Sequence, residues 1–324
     1  MTVESQPVEL TGKENNTESE SNITQKNNTA GDHLVTGRVA LCLSYNGASY
    51  HGWQAQKSGI PTVQKYLEAA ISKVANHPVS VVCAGRTDAS VHSSYQVVHF
   101  DTTVKRSERA WVFGCNANLP DDISVFWAGE MTPDFHARFS ATSRRYHYLI
   151  YNHPIRPSSF TNEMTWTHYP LDEEKMHQAA QFLVGRHDFT SFRAVGCQAN
   201  SPVRSLEYVN VQRFSNMIMI DIKGNAFLHH MVRNIAGVLI SIGCGKQPVE
   251  WCEEVLLLKD RTKADVTASP HGLYLTHVDY PRKFNIPASS GAPSLIQAML
   301  VSSGHSSVDQ INLWDINTIP PEKS

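Results

Sequence analysis

"CAGRTDASVHSSYQVVHF", residues 83–100, sets an arginine and an aspartate two positions apart in a stretch with no other charge before Asp101. The apolar run "VSVVCAG" (79–85) on its N-terminal side predicts a buried strand that ends at a glycine. "QVVHF" (96–100) on the other side predicts a second short strand. Arg86 and Asp88 therefore fall in a loop between two core strands. Core loops rarely carry ionised groups without a task, so this loop is the first candidate site.

Working outward, "RVALCLSYNG" (38–47) alternates as a strand and ends in a turn signal. "PTVQKYLEAAISKVAN" (61–76) places Val63, Tyr66, Leu67, Ala70, Ile71 and Val74 on one helical stripe, with Thr62 as N-cap. A helix near 107–116, a strand near 123–131 and the strand "RRYHYLIYN" (144–152) complete the first half. The second half carries a helix over 172–183, strands near 206–213 and 216–223, the helix "AFLHHMVRNIAGVLISIG" (226–243) and the strand "GLYLTHVDY" (272–280). Helices and strands interleave in both halves, which predicts a mixed α/β (α+β) protein of two similar units, 37–150 and 151–282. Residues 1–36, rich in Glu, Asn, Ser and Thr, are expected to be disordered, and 283–324 to form a tail, partly docked.

Composition excludes several classes. The 324 residues are 41% hydrophobic and 18% charged, with no apolar run near the ~20 residues a membrane span needs. The first residues lack the basic start and apolar core of a secretory leader, which points to the cytoplasm. The six cysteines (Cys42, Cys83, Cys115, Cys197, Cys244, Cys252) form no C-x-x-C and mostly sit in apolar runs, so reduced thiols are expected. The net charge of −2 conceals an acidic N-terminus at −4 and a tail at −1, which leaves 37–282 at +3. That balance fits an RNA partner without requiring one. No phosphate loop, dinucleotide fingerprint or hydrolase elbow occurs, so no nucleotide cofactor is expected. Adjacent side chains on a helix point ~100° apart, so His229 and His230 are expected not to share a metal ion.

Arg233 is the only charge between Lys223 and Lys246, in a helix apolar nearly all round. A buried guanidinium needs an acidic partner. Two readings stand at this level: a structural ion pair, or a polar island in which Arg233 meets Asp88. Strand alternation puts Tyr146, Tyr148 and Ile150 on one face and Arg145, His147 and Leu149 on the other. Tyr146 is either sheet-face packing or a platform for a stacked base. "DFHARFSATSRRYHY" interleaves Phe135, His136, Arg138, Phe139, Arg144 and Arg145 in a pattern suited to nucleic acid.

"AGRTDASVH" resembles the signature loop of the TruA family of tRNA pseudouridine synthases, whose common form is A-G-R-T-D-A-G-V-H. The likeness extends over nearly all of 37–282. "YNGASYHGWQ", "VQKYLEAAI", "NANLP", "DFHARFSATSRRYHYLIYN", "HDFTSFRAVGCQ", "NAFLHHMVRNIAG" and "GLYL" follow the family in order and spacing. The resemblance implies a pseudouridine synthase fold with two α/β subdomains on a central mixed sheet. It implies an isomerase of uridines 38, 39 and 40 in the anticodon stem-loop of tRNA, a homodimer that needs no metal or cofactor. By motif, Asp88 would be the nucleophile, Arg86 the group that displaces the base, Tyr146 the residue packing on it, Arg233 the ion-pair partner of Asp88, and Leu273 part of the pocket lining. Phe135, His136, Ala137, Arg138 and Phe139, then Gly196, Cys197, Gln198, Ala199 and Asn200, and Arg106, fall where the family meets tRNA.

The departures lie close to the chemistry. Ser90 stands in place of the family's usual glycine, Ser93 and Tyr95 replace smaller residues, and Pro154 stands where a basic residue is expected. If position 90 requires a positive φ, serine there carries roughly 1 kcal/mol of strain. The competing expectations are a synthase of different RNA specificity, and an RNA-binding protein that has lost catalysis.

Overall fold

The computed structural model describes residues 37–56 and 59–288; the expectations for 1–36 and for most of the tail lie outside them. The elements in chain order are β1 (Gly37–Tyr45), α1 (Val63–Ala75), β2 (Val82–Cys83), β3 (His92–Thr102), α2 (Glu108–Asn116), β4 (Ile123–Met131) and β5 (Ser143–Asn152). There follow β6 (Thr165–Thr167), α3 (Glu173–Gln181), β7 (Gly185–Asp188), β8 (Val203–Phe214), β9 (Met217–Gly224), α4 (Met231–Gly243), α5 (Trp251–Leu258) and β10 (Leu273–Asp279).

All ten strands join one mixed sheet in the order β4-β1-β3-β10-β5-β9-β8-β7, with β2 on β3 and β6 on β5. Strand β10, last in sequence, is inserted between the strands of the two halves, parallel to β3 and antiparallel to β5. Its ladder with β3 runs through His92 and Ser93, and β2 takes the same flank of β3 further along, at Val98 and His99. The loop from β2 back to β3 is thereby fed into the place where β3 and β10 part.

Alternation along β1 separates two cores. Val39, Leu41 and Leu43 face α1 and α2 in one cluster, while Ala40 and Cys42 join a second with Tyr95, Val97 and Phe135. That second cluster continues through Tyr146, Tyr148 and Ile150 to α3, α4 and α5, and Leu149 faces the other way with Met217, Met219 and Tyr274. Phe284 packs edge-on against Phe135 at 5.1 Å, so the described start of the tail is docked.

Three of the expected elements are altered for identifiable reasons, and β6, β7 and α5 are additions to them. The strand expected over 79–85 shrinks to Val82–Cys83 because α1 side chains take its amides: Val79 N–H donates to Ser72 Oγ at 2.9 Å and Val81 N–H to Glu68 Oε1 at 2.9 Å. Thr62 caps α1 in an extended conformation, but its hydroxyl makes no cap hydrogen bond, and Tyr66 on the expected apolar stripe is 38% exposed. Helix α4 starts at Met231, not at 226: Asn225 Oδ1 accepts from Ser205 N–H and Ala226 N–H, and His230 adopts φ 61, which no helix interior tolerates.

On the sheet face opposite Tyr146, Arg145 grips Asp221 with two hydrogen bonds, at 2.8 and 2.7 Å, and His147 Nε2 lies 3.4 Å from the same carboxylate. Burial pushes the Asp221 carboxyl up, but Arg145 and His147 more than offset it and hold it at about 2. A carboxyl depressed in the folded state stabilises the fold above its ordinary value of 3.8, and that contribution is lost as pH falls through about 2. Between pH 5 and pH 2 the protein is expected to lose about 2 kcal/mol from this group. Thermal unfolding across that range in wild type and Asp221→Asn checks it, the acid-dependent drop being smaller in the variant by that amount.

Candidate active site

Gly85 to Val91 form the loop between β2 and β3, and its shape is fixed from four directions. Gln96, a fully buried amide on β3, donates to Gly85 C=O at 2.7 Å and accepts from Gly85 N–H at 3.4 Å. Thr87 Oγ1 meets the hydroxyl of Tyr45 at 2.8 Å, and Thr87 C=O accepts from Trp53 N–H at 3.0 Å. Ser90 N–H donates to Tyr50 C=O at 3.1 Å, and Val91 N–H closes a turn on Asp88 C=O at 3.2 Å. Ser90 has φ 61, so the left-handed position expected of a glycine is occupied by a serine, whose Oγ lies 3.5 Å from Ala48 C=O.

This scaffold holds Asp88 where the lead-in to α4 converges. Arg233 Nη1 lies 3.3 Å from Asp88 Oδ2, and Arg233 Nε donates to Ala268 C=O at 2.9 Å. The sequence left open whether Arg233 pairs structurally or joins Asp88, and the geometry joins it to Asp88. Its side chain is only 13% exposed and that of Asp88 23%, so the pair is partly shielded from water. Tyr146 lies beneath: it is 9% exposed, edge-on to Phe227 at 4.9 Å, and a Cβ on Gly85 would sit 3.7 Å from its hydroxyl. Burial pushes its phenol up to about 12, against the opposing pull of Arg144, so it stays protonated at neutral pH. Leu273, the first residue of β10, is buried in the same cluster as Tyr146.

The histidines correct a sequence expectation. His229 and His230 precede α4, so the 100° argument does not apply, and both face one carboxylate. His229 Nε2 is 3.3 Å from Asp88 Oδ1 and His230 Nε2 is 3.4 Å from Oδ2, with the rings 4.0 Å apart. Among the described residues these three form the group able to hold a metal ion, their donor atoms all within 4.8 Å. Burial pushes His230 down, against the pull of Asp88, and leaves it neutral at pH 7.

The remaining expected residues divide. Phe135 and Ala137 are fully buried core residues, so neither side chain reaches the surface; the apolar alternation of the segment turns them inward. His136 stacks on Phe139 at 4.3 Å, Arg138 lies over the same ring, and Phe139 is 76% exposed. Gly196 (φ 84), Gln198 and Asn200 are exposed on a loop that Arg193 holds through Ala199 C=O at 3.0 Å. That loop meets the histidine segment, since Cys197 Sγ accepts from His229 N–H at 3.5 Å and Ala194 N–H donates to His229 C=O at 3.0 Å. Arg86 is exposed on the Asp88 loop. Arg106 is not brought there: it follows the far end of β3 and donates to Val74 C=O at 3.4 Å.

Arg144 belongs in sequence to the basic–aromatic pattern, and in the fold it ties segments together. One guanidinium donates to Ala84 C=O (3.0 Å), Arg138 C=O (2.8 Å) and Asn225 C=O (3.0 Å). It thus ties the Asp88 loop, the turn that exposes Arg138 and Phe139, and the lead-in to α4. Arg144→Met is expected to reduce kcat on the order of 10²-fold through misplacement of Asp88, with Lys restoring little because an ammonium lacks the planar fork. Single-turnover rates beside a far-ultraviolet spectrum of the folded variant check this.

With this geometry in place, comparison with known proteins is decisive. A family model described as tRNA pseudouridine synthase matches residues 41–140 and 179–281. The chain belongs to the tRNA pseudouridine synthase family. Similar relatives are the tRNA pseudouridine synthase A of Pseudomonas aeruginosa (58% identical over 262 residues, 81% of this chain and 92% of the relative) and that of Cronobacter sakazakii (55% over 256 residues, 79% and 94%). That of Photorhabdus laumondii is 53% identical over 264 residues, 82% of this chain and the whole relative. Among solved structures, a Cbf5–Nop10–Gar1 complex aligns with 73% of this chain at 11% identity and a TM-score of 0.30; the alignment takes in 57% of that chain's length. Pseudouridine synthases are isomerases, and the mixed α/β sheet described above is the frame on which this one is built.

Proposed function

We propose that the chain isomerises uridine to pseudouridine at positions 38, 39 and 40 of the tRNA anticodon stem-loop, with Asp88 as nucleophile. The observation that carries this reading is a carboxylate kept beside a fixed guanidinium, above a buried tyrosine. Isomerisation breaks the C1′–N1 bond, turns the uracil and rejoins it through C5, which suits a carboxylate that adds and then departs. Arg233, 3.3 Å from the carboxylate, supplies a fixed counter-charge beside the attacking oxygens. A paired uridine must first leave its stack, at a cost of a few kcal/mol, and exposed Arg86 is placed to take its room while Tyr146 and Leu273 receive the base.

The 136–139 surface and the 196–200 loop serve as backbone and base contacts to tRNA, with Arg106 a more distant phosphate contact, and binding weakens with salt accordingly. Residues 37–150 act as the subdomain carrying the Asp88 loop, and 151–282 as the one that completes the pocket. A homodimer in the cytoplasm, working without metal or cofactor, belongs to the same reading; no described helix is long and apolar enough to cross a membrane. Tritium release from 5-tritiated uridine placed singly at 38, 39 or 40 of a tRNA transcript tests it. Release from these transcripts and not from a ribosomal RNA fragment is the expected result. Tight tRNA binding without release would favour a binding protein instead.

A further inference from the structure

The donor set around Asp88 has a second chemistry. His229 Nε2 to Oδ1 at 3.3 Å and His230 Nε2 to Oδ2 at 3.4 Å are too long for good N–H···O hydrogen bonds, which cluster at 2.7–3.2 Å in proteins. Ligands bonded to Zn²⁺ at about 2.0–2.2 Å stand roughly 3.3 Å from one another, and one donor atom from each of the three residues lies within 4.8 Å of the others, a spread that small side-chain shifts bring onto one ion. Two imidazoles and one carboxylate are also the protein ligand set of zinc sites that leave the fourth position to water.

The site is built before any ion arrives. His229 is held through its backbone on both sides, its N–H on Cys197 Sγ and its C=O on Ala194 N–H. His230 is fixed at φ 61, and its C=O accepts the first helical hydrogen bond of α4 from Asn234 N–H at 2.9 Å. Asp88 is fixed by the loop scaffold. The charges opposing a cation are Arg233, at 3.3 Å from Oδ2, and Arg261, whose charge acts on His230 from the 261–263 turn. Arg233 keeps its bond to Ala268 C=O when Nη1 releases the carboxylate, whereas Arg261 stays anchored to Asn234 and Thr267.

We infer that Asp88, His229 and His230 form a Zn²⁺ site, and that an ion bound there takes the carboxylate out of reach of substrate and inhibits the enzyme reversibly. Binding follows from the donor set alone; the inhibition rests on the reading of Asp88 as nucleophile. Repulsion from the two arginines weakens the site relative to a dedicated zinc centre, so micromolar affinity is expected.

Co²⁺ titration of the chelator-treated full chain tests the binding. The expected result is one ion per chain with the intense visible band of tetrahedral cobalt, displaced by Zn²⁺. Absence of the near-ultraviolet sulfur-to-cobalt band excludes Cys197 as a ligand. His229→Gln and His230→Gln, each compared with its own metal-free state, are expected to lose at least tenfold in affinity and in sensitivity to micromolar Zn²⁺, and chelator is expected to restore the wild-type rate. A band unchanged in both variants, or none, overturns the site. Binding without inhibition overturns the inhibitory role; if Asp88→Asn is then still active, the fault lies with the catalytic reading, and if it is dead, with the inference itself.

Discussion

Asp88→Asn is expected to abolish pseudouridine formation, by on the order of 10⁴-fold or more, while tRNA affinity stays within a few-fold of wild type. Asparagine keeps the shape and can still accept a hydrogen bond from Arg233, but it has no negative charge and is a poor nucleophile. The loop does not depend on the carboxylate for its fold: Gln96, Tyr45, Trp53 and Tyr50 hold it through Gly85, Thr87 and Ser90. Asp88 is itself partly exposed, so the change leaves no fully buried orphan. Removing it also relieves Arg233 of its ion-pair partner, a loss moderated by the retained bond to Ala268. Single-turnover tritium release from an anticodon stem-loop transcript, beside filter binding of the same transcript, separates chemistry from affinity. Residual turnover above about one per cent of wild type would mean that another group attacks.

The scaffold was readable to different depths. Apolar periodicity is a local signal, and β1, α1, β5, α3 and β10 lie where it puts them because the helices bury one apolar stripe and the strands feed clusters on alternate faces. The pairing of β10 between β3 and β5 involves residues about 180 and 130 positions apart, and no local pattern encodes it. Asp88 and Arg233 stood out as charges in apolar surroundings, and that contrast is visible in one dimension. Gln96 offers the same contrast, an amide inside "YQVVHF", but a single neutral polar residue in a strand is a weaker signal than a charge. His229 and His230 were misjudged because a helix was extended through them; the left-handed backbone at His230, which turns both rings onto Asp88, has no cue in residue type. Arg144 acts through three carbonyl groups, and backbone carbonyls are the same at every position of a sequence.

Gly52→Ala is expected to cripple the enzyme without touching any reacting group. Gly52 has φ +88, a conformation that costs a residue with a Cβ on the order of 1 kcal/mol. The added Cβ would also stand 2.8 Å from Thr87 O, 3.1 Å from Ala89 N and 3.1 Å from Asp88 C. These are backbone atoms, which no rotamer change can move aside. The contact can be relieved only by opening the Trp53–Thr87 hydrogen bond or by shifting the Asp88 loop away from Arg233. A shift near 1 Å costs on the order of 10²-fold in rate, so kcat is expected to fall by that factor with tRNA affinity little changed. Gly59→Ala is the matched control: its φ is +74, and its Cβ would meet nothing within 4 Å. It is expected to lose a similar ~1 kcal/mol of stability to backbone strain and to keep its kcat. If both variants lost rate equally, general softening would explain the effect; if only Gly52→Ala does, the rate depends on where Gly52 lets the loop place its carboxylate.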